Sequence, residues 1–345
     1  MRMNEITNTD QLREFMTEPT PGLVKMMKGL KGDLMVLGGG GKVGPELVET
    51  IARADRQAGA SRKINVADLF PQGGGVSPKQ VSALGCEVVK GDLTDRKFLE
   101  TLPDASHVIF MVGLKFGSSK DWRAAFHINC ILPYLVGERY TAADIVAFTS
   151  ANPYPHTPPA KGGARETDEL APQGVYGWGI VARESAFETT LLTNPRQKAA
   201  FYRLAYAQHL GYGVLIDLAR MVKDGEEISL GMPYVNLISQ RDAIDASIRL
   251  LSKCANPAFK MNVAGPPTSV RQIVEKLGKL IGRKPRLRDD EADTALLAND
   301  EQCVKLFGPY RDKVDEMIEA AANWVMAGGE YWNKPTLFGR VRHDY

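Results

Sequence analysis

The chain predicts an α/β fold, a doubly wound parallel sheet joined to a smaller mixed α/β lobe. Three observations carry that expectation. Between Asp33 and Tyr206, short runs that are apolar throughout alternate with segments of helical period, the pattern of parallel strands covered on both faces. Four consecutive glycines, Gly38–Gly41, stand where the first apolar run gives way to the first helical segment. Beyond residue 211 the rhythm changes, and short extended pieces mix with helices.

The elements follow in order. Residues 1–32 read as a polar N-terminal extension with a turn at Pro19–Pro21 and a short helix over Gly22–Gly29. Leu34–Leu37 is a buried strand. Pro45–Gln57 is a helix opened by a proline, whose missing amide costs nothing in a first turn. Strands are expected at Lys63–Ala67, Cys86–Val89, His107–Val112, Asp144–Phe148 and Ala200–Tyr206, and helices at Trp122–Arg139 and Tyr176–Leu192. Two long loops carry glycine, Phe70–Pro78 and Asn152–Gln173. In the C-terminal part, extended pieces at Ile228–Leu230, Val235–Ile238 and Lys260–Val263 accompany helices over Gln240–Leu251, Ser269–Ile281 and Lys313–Val325. The expected division is an extension (1–32), a sheet domain (33–210) and a lobe (211–345) interleaved with it.

Composition narrows the function classes. At 345 residues the chain exceeds one usual core, and 44% apolar with 24% charged residues is ordinary for a globular protein. Lys plus Arg is 43 against 41 Asp plus Glu, a net charge of +2, which gives no electrostatic footprint for nucleic acid or an anionic membrane. The richest apolar run, Val108–Leu114, is far shorter than the ~18 residues of a membrane span. The N-terminus lacks the apolar stretch of a signal peptide, so a cytoplasmic location is expected. Four cysteines and five histidines are scattered without Cys-x-x-Cys or His-x-x-x-His spacing, so neither a metal site nor a disulfide scaffold is expected.

The segment Leu34–Glu46 reads strand, glycine turn, helix. It satisfies Gly38-x-x-Gly41-x-x-Gly44 and Gly39-x-Gly41-x-x-Gly44 together. Such a turn lets the backbone approach a pyrophosphate and aims helix N-terminal amides at it. A Walker loop is excluded, because Val36 holds its first glycine position and Val43 stands where Ser or Thr is needed. Asp68 ends the next strand, 24 residues past Gly44, placed to accept from ribose hydroxyls, which favours NAD; Arg62 and Lys63 keep NADP open. A Rossmann-type dinucleotide site is the expectation, with Gly38, Gly41, Lys42, Val43, Gly44 and Asp68 binding the cofactor.

These residues and the motifs after them resemble the extended short-chain dehydrogenase/reductases, the NAD-dependent epimerase/dehydratase group. Lys90–Asp95 is similar to the family's Gly-Asp-Leu motif, which implies that Asp92 and Leu93 contact adenine. Met111, Val112 and Gly113 fall where the family's fourth strand lines the cofactor. Asn129 resembles the structural asparagine of the next helix. Phe148–Tyr154 is similar to the fifth-strand motif, with Ser150 as the catalytic serine and Tyr154 four residues on, a substrate position. Tyr176 is the catalytic tyrosine by position. Asn262–Gly265, Ser269–Arg271 and Ile281–Arg283 look like the family's C-terminal lobe, and the resemblance runs from about Asp33 to Trp324. It implies a sugar-derived substrate and a homodimer formed by the Trp122–Arg139 and Tyr176–Leu192 helices.

One departure is chemical. The family has Tyr-x-x-x-Lys, and this chain has Tyr176-Gly-Trp-Gly-Ile180. Residues four apart share a helix face, so the lysine that holds the ribose and lowers the tyrosine pKa is replaced by an isoleucine. Lys115, just past the fourth strand, is the candidate substitute, since strand C-termini face the ligand crevice. Lys161 and Arg165, in the loop before Tyr176, are candidates to grip a substrate anion, and Trp178 to cover a sugar ring. Arg203 and Gln208 lie on and after the sixth strand, where Tyr206 makes the substrate floor atypical. The leading expectation is an NAD-dependent oxidoreductase or epimerase. Two alternatives stand beside it: a non-catalytic NAD(P)-binding sensor, and an enzyme that oxidises transiently before elimination or aldol cleavage.

Overall fold

A computed structural model describes residues 1–71, 75–334 and 336–339. Seven strands form the central sheet: β1 Leu34–Leu37, β2 Ile64–Asp68, β3 Glu87–Lys90, β4 His107–Phe110, β5 Asp144–Ser150, β6 Lys198–Leu204 and β7 Phe259–Val263. All neighbours pair in parallel, in the order β7-β6-β5-β4-β1-β2-β3. This is the expected doubly wound, Rossmann-like sheet. The strand order reverses between β1 and β4, which opens a crevice at their C-terminal ends.

Strand chemistry explains the layering. Leu34 and Val36 face one core, with Leu47, Val48 and Ile51 of the Gly44–Gln57 helix. Met35 and Leu37 face the other, with Phe110, Leu132 and Phe187. All four residues of β1 are fully buried, which is why the run is apolar without alternation.

Lys260–Val263, expected in the smaller lobe, is instead most of the seventh sheet strand, β7, paired with β6 from Phe259↔Ala200 to Val263↔Leu204. The segment Phe259-Lys-Met-Asn-Val263 carries no local mark of which sheet it will join. The N-terminal extension also differs from a polar preamble. It holds a second helix, Thr9–Met16, capped by Asn8, whose Leu12, Phe15 and Met16 lie in the lobe's core with the Val214–Asp224, Val270–Ile281 and Val314–Met326 helices. Leu23 and Met27, from the Pro21–Gly29 helix, enter the sheet's core. The Phe70–Pro78 loop lies partly outside the described residues.

The helix expected over Trp122–Arg139 is interrupted. Trp122–Phe126 and Leu132–Arg139 are α-helical, and His127–Ile131 between them is a π turn. Pro133 has no amide to give the Asn129 carbonyl four residues earlier, which loosens the ladder at this point.

Candidate active site

The glycine turn is built by close approach. A Cβ on Gly44 would stand 2.1 Å from the Gly39 carbonyl oxygen, so helix and strand can meet there only as glycine. Gly38 has φ +91°, and a Cβ on it would stand 2.9 Å from the Val112 amide nitrogen. At Gly41 the nearest atom of the described residues to a Cβ is Gly38 O at 3.6 Å, an ordinary contact, so sterics there do not demand glycine. Asp68 reaches back to the turn: Gly40 N–H donates to its Oδ2 (2.9 Å) and Phe70 N–H to its Oδ1 (3.1 Å). A carboxylate offers about four lone-pair sites, so capacity for two hydroxyls remains.

The other cofactor candidates surround this turn unevenly. Met111 and Val112 continue β4, and Met111 N–H donates to Leu37 O. Gly113 lies against the Arg183 guanidinium, 2.7 Å from where its Cβ would be. Asp92 is exposed and accepts from Thr94 N–H and Thr94 Oγ–H at 2.9 and 2.7 Å. Leu93 is 5% exposed and packs in the core with Leu99 and Leu102. Arg62 and Lys63 stand at the opposite, N-terminal end of β2 from Asp68. Arg62 is buried there on Asp55 and the Met27 and Leu30 carbonyls, so it is not a partner for a 2′-phosphate at Asp68.

Beside the turn lies a cavity of about 210 Å³, lined by Lys42, Val43, Lys115, Ser150, Tyr176, Tyr206, Gln208 and Tyr212 among others. Tyr176 and Ser150 are hydrogen-bonded, and Ser150 Oγ also accepts from Asn152 N–H at 3.1 Å. Two glycines set Tyr176 in place. A Cβ on Gly177 would meet Asn152 Oδ1 at 3.2 Å, and one on Gly179 would meet Asn129 Nδ2 at 3.1 Å. Between them Trp178 points away, 56% exposed, and does not line the cavity. Lys115 Nζ stands 5.6 Å from the Tyr176 ring centroid and 5.3 Å from that of Phe116.

The expected substrate grips fall elsewhere. Tyr154 is fully buried; its hydroxyl donates to Asn262 Oδ1 (2.9 Å) and accepts from Arg203 (2.6 Å). Arg203 in turn holds Glu184 through two bonds. These are interior supports, because a ring at zero exposure has no ligand face. Lys161 and Arg165 are exposed outside the cavity, and Arg165 pairs with Glu301 at 3.1 Å. The loop that carries them is pinned to residues 295–299 through Thr157↔Ala295 and Ala164↔Ala298. Tyr206 and Gln208 do reach the cavity.

Sequence reasoning missed Arg183. It lies three residues past Ile180 and seven past Tyr176, on their helix face. The guanidinium is buried, donating to Phe148 O (2.7 Å) and Asn129 Oδ1 (2.6 Å). Asn129 also bonds both backbone groups of Leu114. Burial raises the Tyr176 pKa above its usual 10; the Arg183 charge and the Ser150 hydrogen bond pull it back. Burial lowers Arg183 to about 10. Ile180 itself is 2% exposed and lies off the cavity wall. Helix period alone places Arg183 on the face of Tyr176 and Ile180, but not the inward turn of its guanidinium.

No protein-family model matches the chain, and no curated protein matches it by sequence. Solved structures do match. UDP-glucose 4-epimerase from Thermotoga maritima is 15% identical with a TM-score of 0.68, covering 86% of this chain and 99% of its own. dTDP-glucose 4,6-dehydratase from Bacillus anthracis, in complex with NAD, is 16% identical with a TM-score of 0.68 over 85% and 96%. MoeE5, in complex with UDP-glucuronic acid and NAD, is 19% identical with a TM-score of 0.65 over 86% and 99%. The chain therefore has the fold of the NAD-dependent epimerases and dehydratases, the extended short-chain dehydrogenase/reductase group that its motifs resemble.

Proposed function

We propose that the chain is an NAD-dependent oxidoreductase or epimerase acting on a sugar or sugar-acid derivative, as a homodimer. The observation that carries this is the hydrogen-bonded Tyr176–Ser150 pair on the wall of a cavity that begins at the glycine turn. The cofactor fits the residues present: a turn that excludes side chains at Gly38 and Gly44, and Asp68 held beside it. Gly38, Gly41, Val43 and Gly44 would hold the pyrophosphate, and Asp68 the adenosine ribose, whose 2′-phosphate its charge would repel. NAD, when bound, supplies the hydride acceptor and donor.

Tyr176 and Ser150 act on the substrate oxygen. With its pKa raised by burial, Tyr176 stays protonated at neutral pH and donates to a carbonyl oxygen. Ser150 shares the developing charge. To take a proton from a substrate hydroxyl, Tyr176 must first ionise, and the Arg183 charge favours that state. The duties of the missing lysine are thus divided: Arg183 supplies charge behind the tyrosine, and Lys115 supplies a cation within the cavity. The similar structures of MoeE5 and of the Thermotoga maritima epimerase hold UDP-glucuronic acid and UDP-glucose respectively, which supports a sugar-derived substrate.

Replacing Lys115 by Met is expected to lower turnover at least a hundredfold, about 2.7 kcal/mol of barrier, while the NAD Kd changes less than about threefold. Unchanged turnover would remove Lys115 from the mechanism. NAD binding without turnover of any sugar or sugar nucleotide by the wild-type chain would favour the sensor.

A further inference from the structure

We propose a second small-molecule site, for a primary amine held as its ammonium ion, in a cavity built around Glu46. That cavity is about 200 Å³ and shares no lining residue with the one that holds Tyr176. One segment of chain serves both: Gln208, Tyr212 and Gly213 line the first, His209 and Gly211 the second. Glu46 comes from the first turn of the Gly44–Gln57 helix, and Leu12, Leu84, Trp324 and Trp332 supply apolar wall. The Trp332 ring lies on His209, with 4.5 Å between centroids.

Glu46 is the group that calls for a ligand. Its side chain is only 12% exposed, and among the described residues its buried Oε2 has no hydrogen-bond partner. Its Oε1 stands 3.5 Å from His209 Nε2. His209 Nδ1 accepts from Gly211 N–H at 2.9 Å, which leaves the ring proton on Nε2, and burial keeps the imidazole neutral by lowering its pKa to about 3. Arg13 is the one arginine or lysine on this wall among the described residues, and Glu49 takes it at 2.6 Å. Glu330 adds a third carboxylate to the lining. Glu46 therefore lacks a donor for one oxygen and a counter-charge for the other. Burial, with the Glu49 charge, raises its pKa to about 7 against the pull of Arg13. A primary ammonium supplies donor and charge together, and indole walls suit a cation on an apolar body. An apolar cavity of roughly 150 Å³ accepts a benzene ring, so a single-ring or short aliphatic amine matches this volume.

Calorimetry on the wild-type protein tests the site with three probes of one body and different charge: phenethylamine, neutral 2-phenylethanol and phenylacetate. At about pH 8, phenethylamine is expected to bind about tenfold or more tighter than the alcohol, and phenylacetate no tighter than the alcohol. In Glu46→Gln, which keeps the side chain's shape, that margin should shrink to under about threefold. The acceptor must be ionised, so in the wild type phenethylamine should weaken about tenfold from about pH 8 to about pH 6, while 2-phenylethanol stays constant. This pH series uses the unaltered chain and holds even if Glu46→Gln fails to fold. Probes that bind equally, or phenethylamine that does not bind below about 10 mM, would overturn the proposal. So would an amine preference that persists in folded Glu46→Gln, or one that is the same at both pH values, since either places the amine away from Glu46.

Discussion

At the scale of single residues, the chemistry turns on how a tyrosine is tuned without its customary lysine. Tyr176, Ser150 and the gap at Ile180 were all legible as letters at fixed spacing. Arg183 was not, because nothing in its neighbours shows that its guanidinium turns inward to Asn129 and Phe148 O. Lys161 and Arg165 were plausible by type and loop position, and Trp178 by its place beside Tyr176 on the helix, but solvent exposure is decided by packing around them. The Arg183 assignment has a pH consequence. Its charge favours the ionised form of Tyr176, so removing it raises that pKa. In Arg183→Met the rising limb of the oxidation rate should move to higher pH by about one unit, roughly 1.4 kcal/mol. Arg183→Lys should return it most of the way. A limb that stays in place in Arg183→Met would show that the guanidinium is only a support for Asn129.

At the scale of elements, the strand–glycine–helix unit was readable because Gly38 and Gly44 answer a steric demand. The structure adds the size of that demand, with Gly44 facing a carbonyl oxygen at 2.1 Å from its would-be Cβ. The seven strands were legible from apolar runs, except that β7 was grouped with the wrong layer. Sheet membership depends on pairing between segments some sixty residues apart, such as Phe259 and Ala200, and no local pattern encodes it. The π turn at His127–Ile131 and the buried face of Thr9–Met16 were hidden for related reasons. One depends on a ladder bond that Pro133 cannot make, the other on a core formed by distant helices.

At the scale of the whole molecule, the two exposed edges of the same helical layer bear on assembly. Trp122, Ile131 and Tyr134 on one helical segment, with Trp178 and Leu192 on the Gly174–Thr193 helix, are 40–85% exposed. The two segments pack on each other, Gly137 against Thr190, and exposed apolar side chains on neighbouring helices are the material of interaction surfaces. If a second copy covers them, light scattering should give twice the 37.8 kDa chain mass for the wild type and a shift towards one chain mass for the double variant Trp122→Glu, Leu192→Glu. A wild-type monomer at micromolar concentration would refute the dimer.

The whole molecule also carries the central claim, that a glycine turn, Asp68 and the Tyr176–Ser150 pair share one crevice built for NAD. Calorimetric titration of the wild-type chain and of Gly44→Ala with NAD and NADP tests it most directly. One NAD per chain is expected, bound at least about tenfold tighter than NADP. In Gly44→Ala, provided circular dichroism shows it folded, NAD binding should be lost. NAD binding that survives that substitution, or a wild-type chain that binds neither dinucleotide, would contradict it.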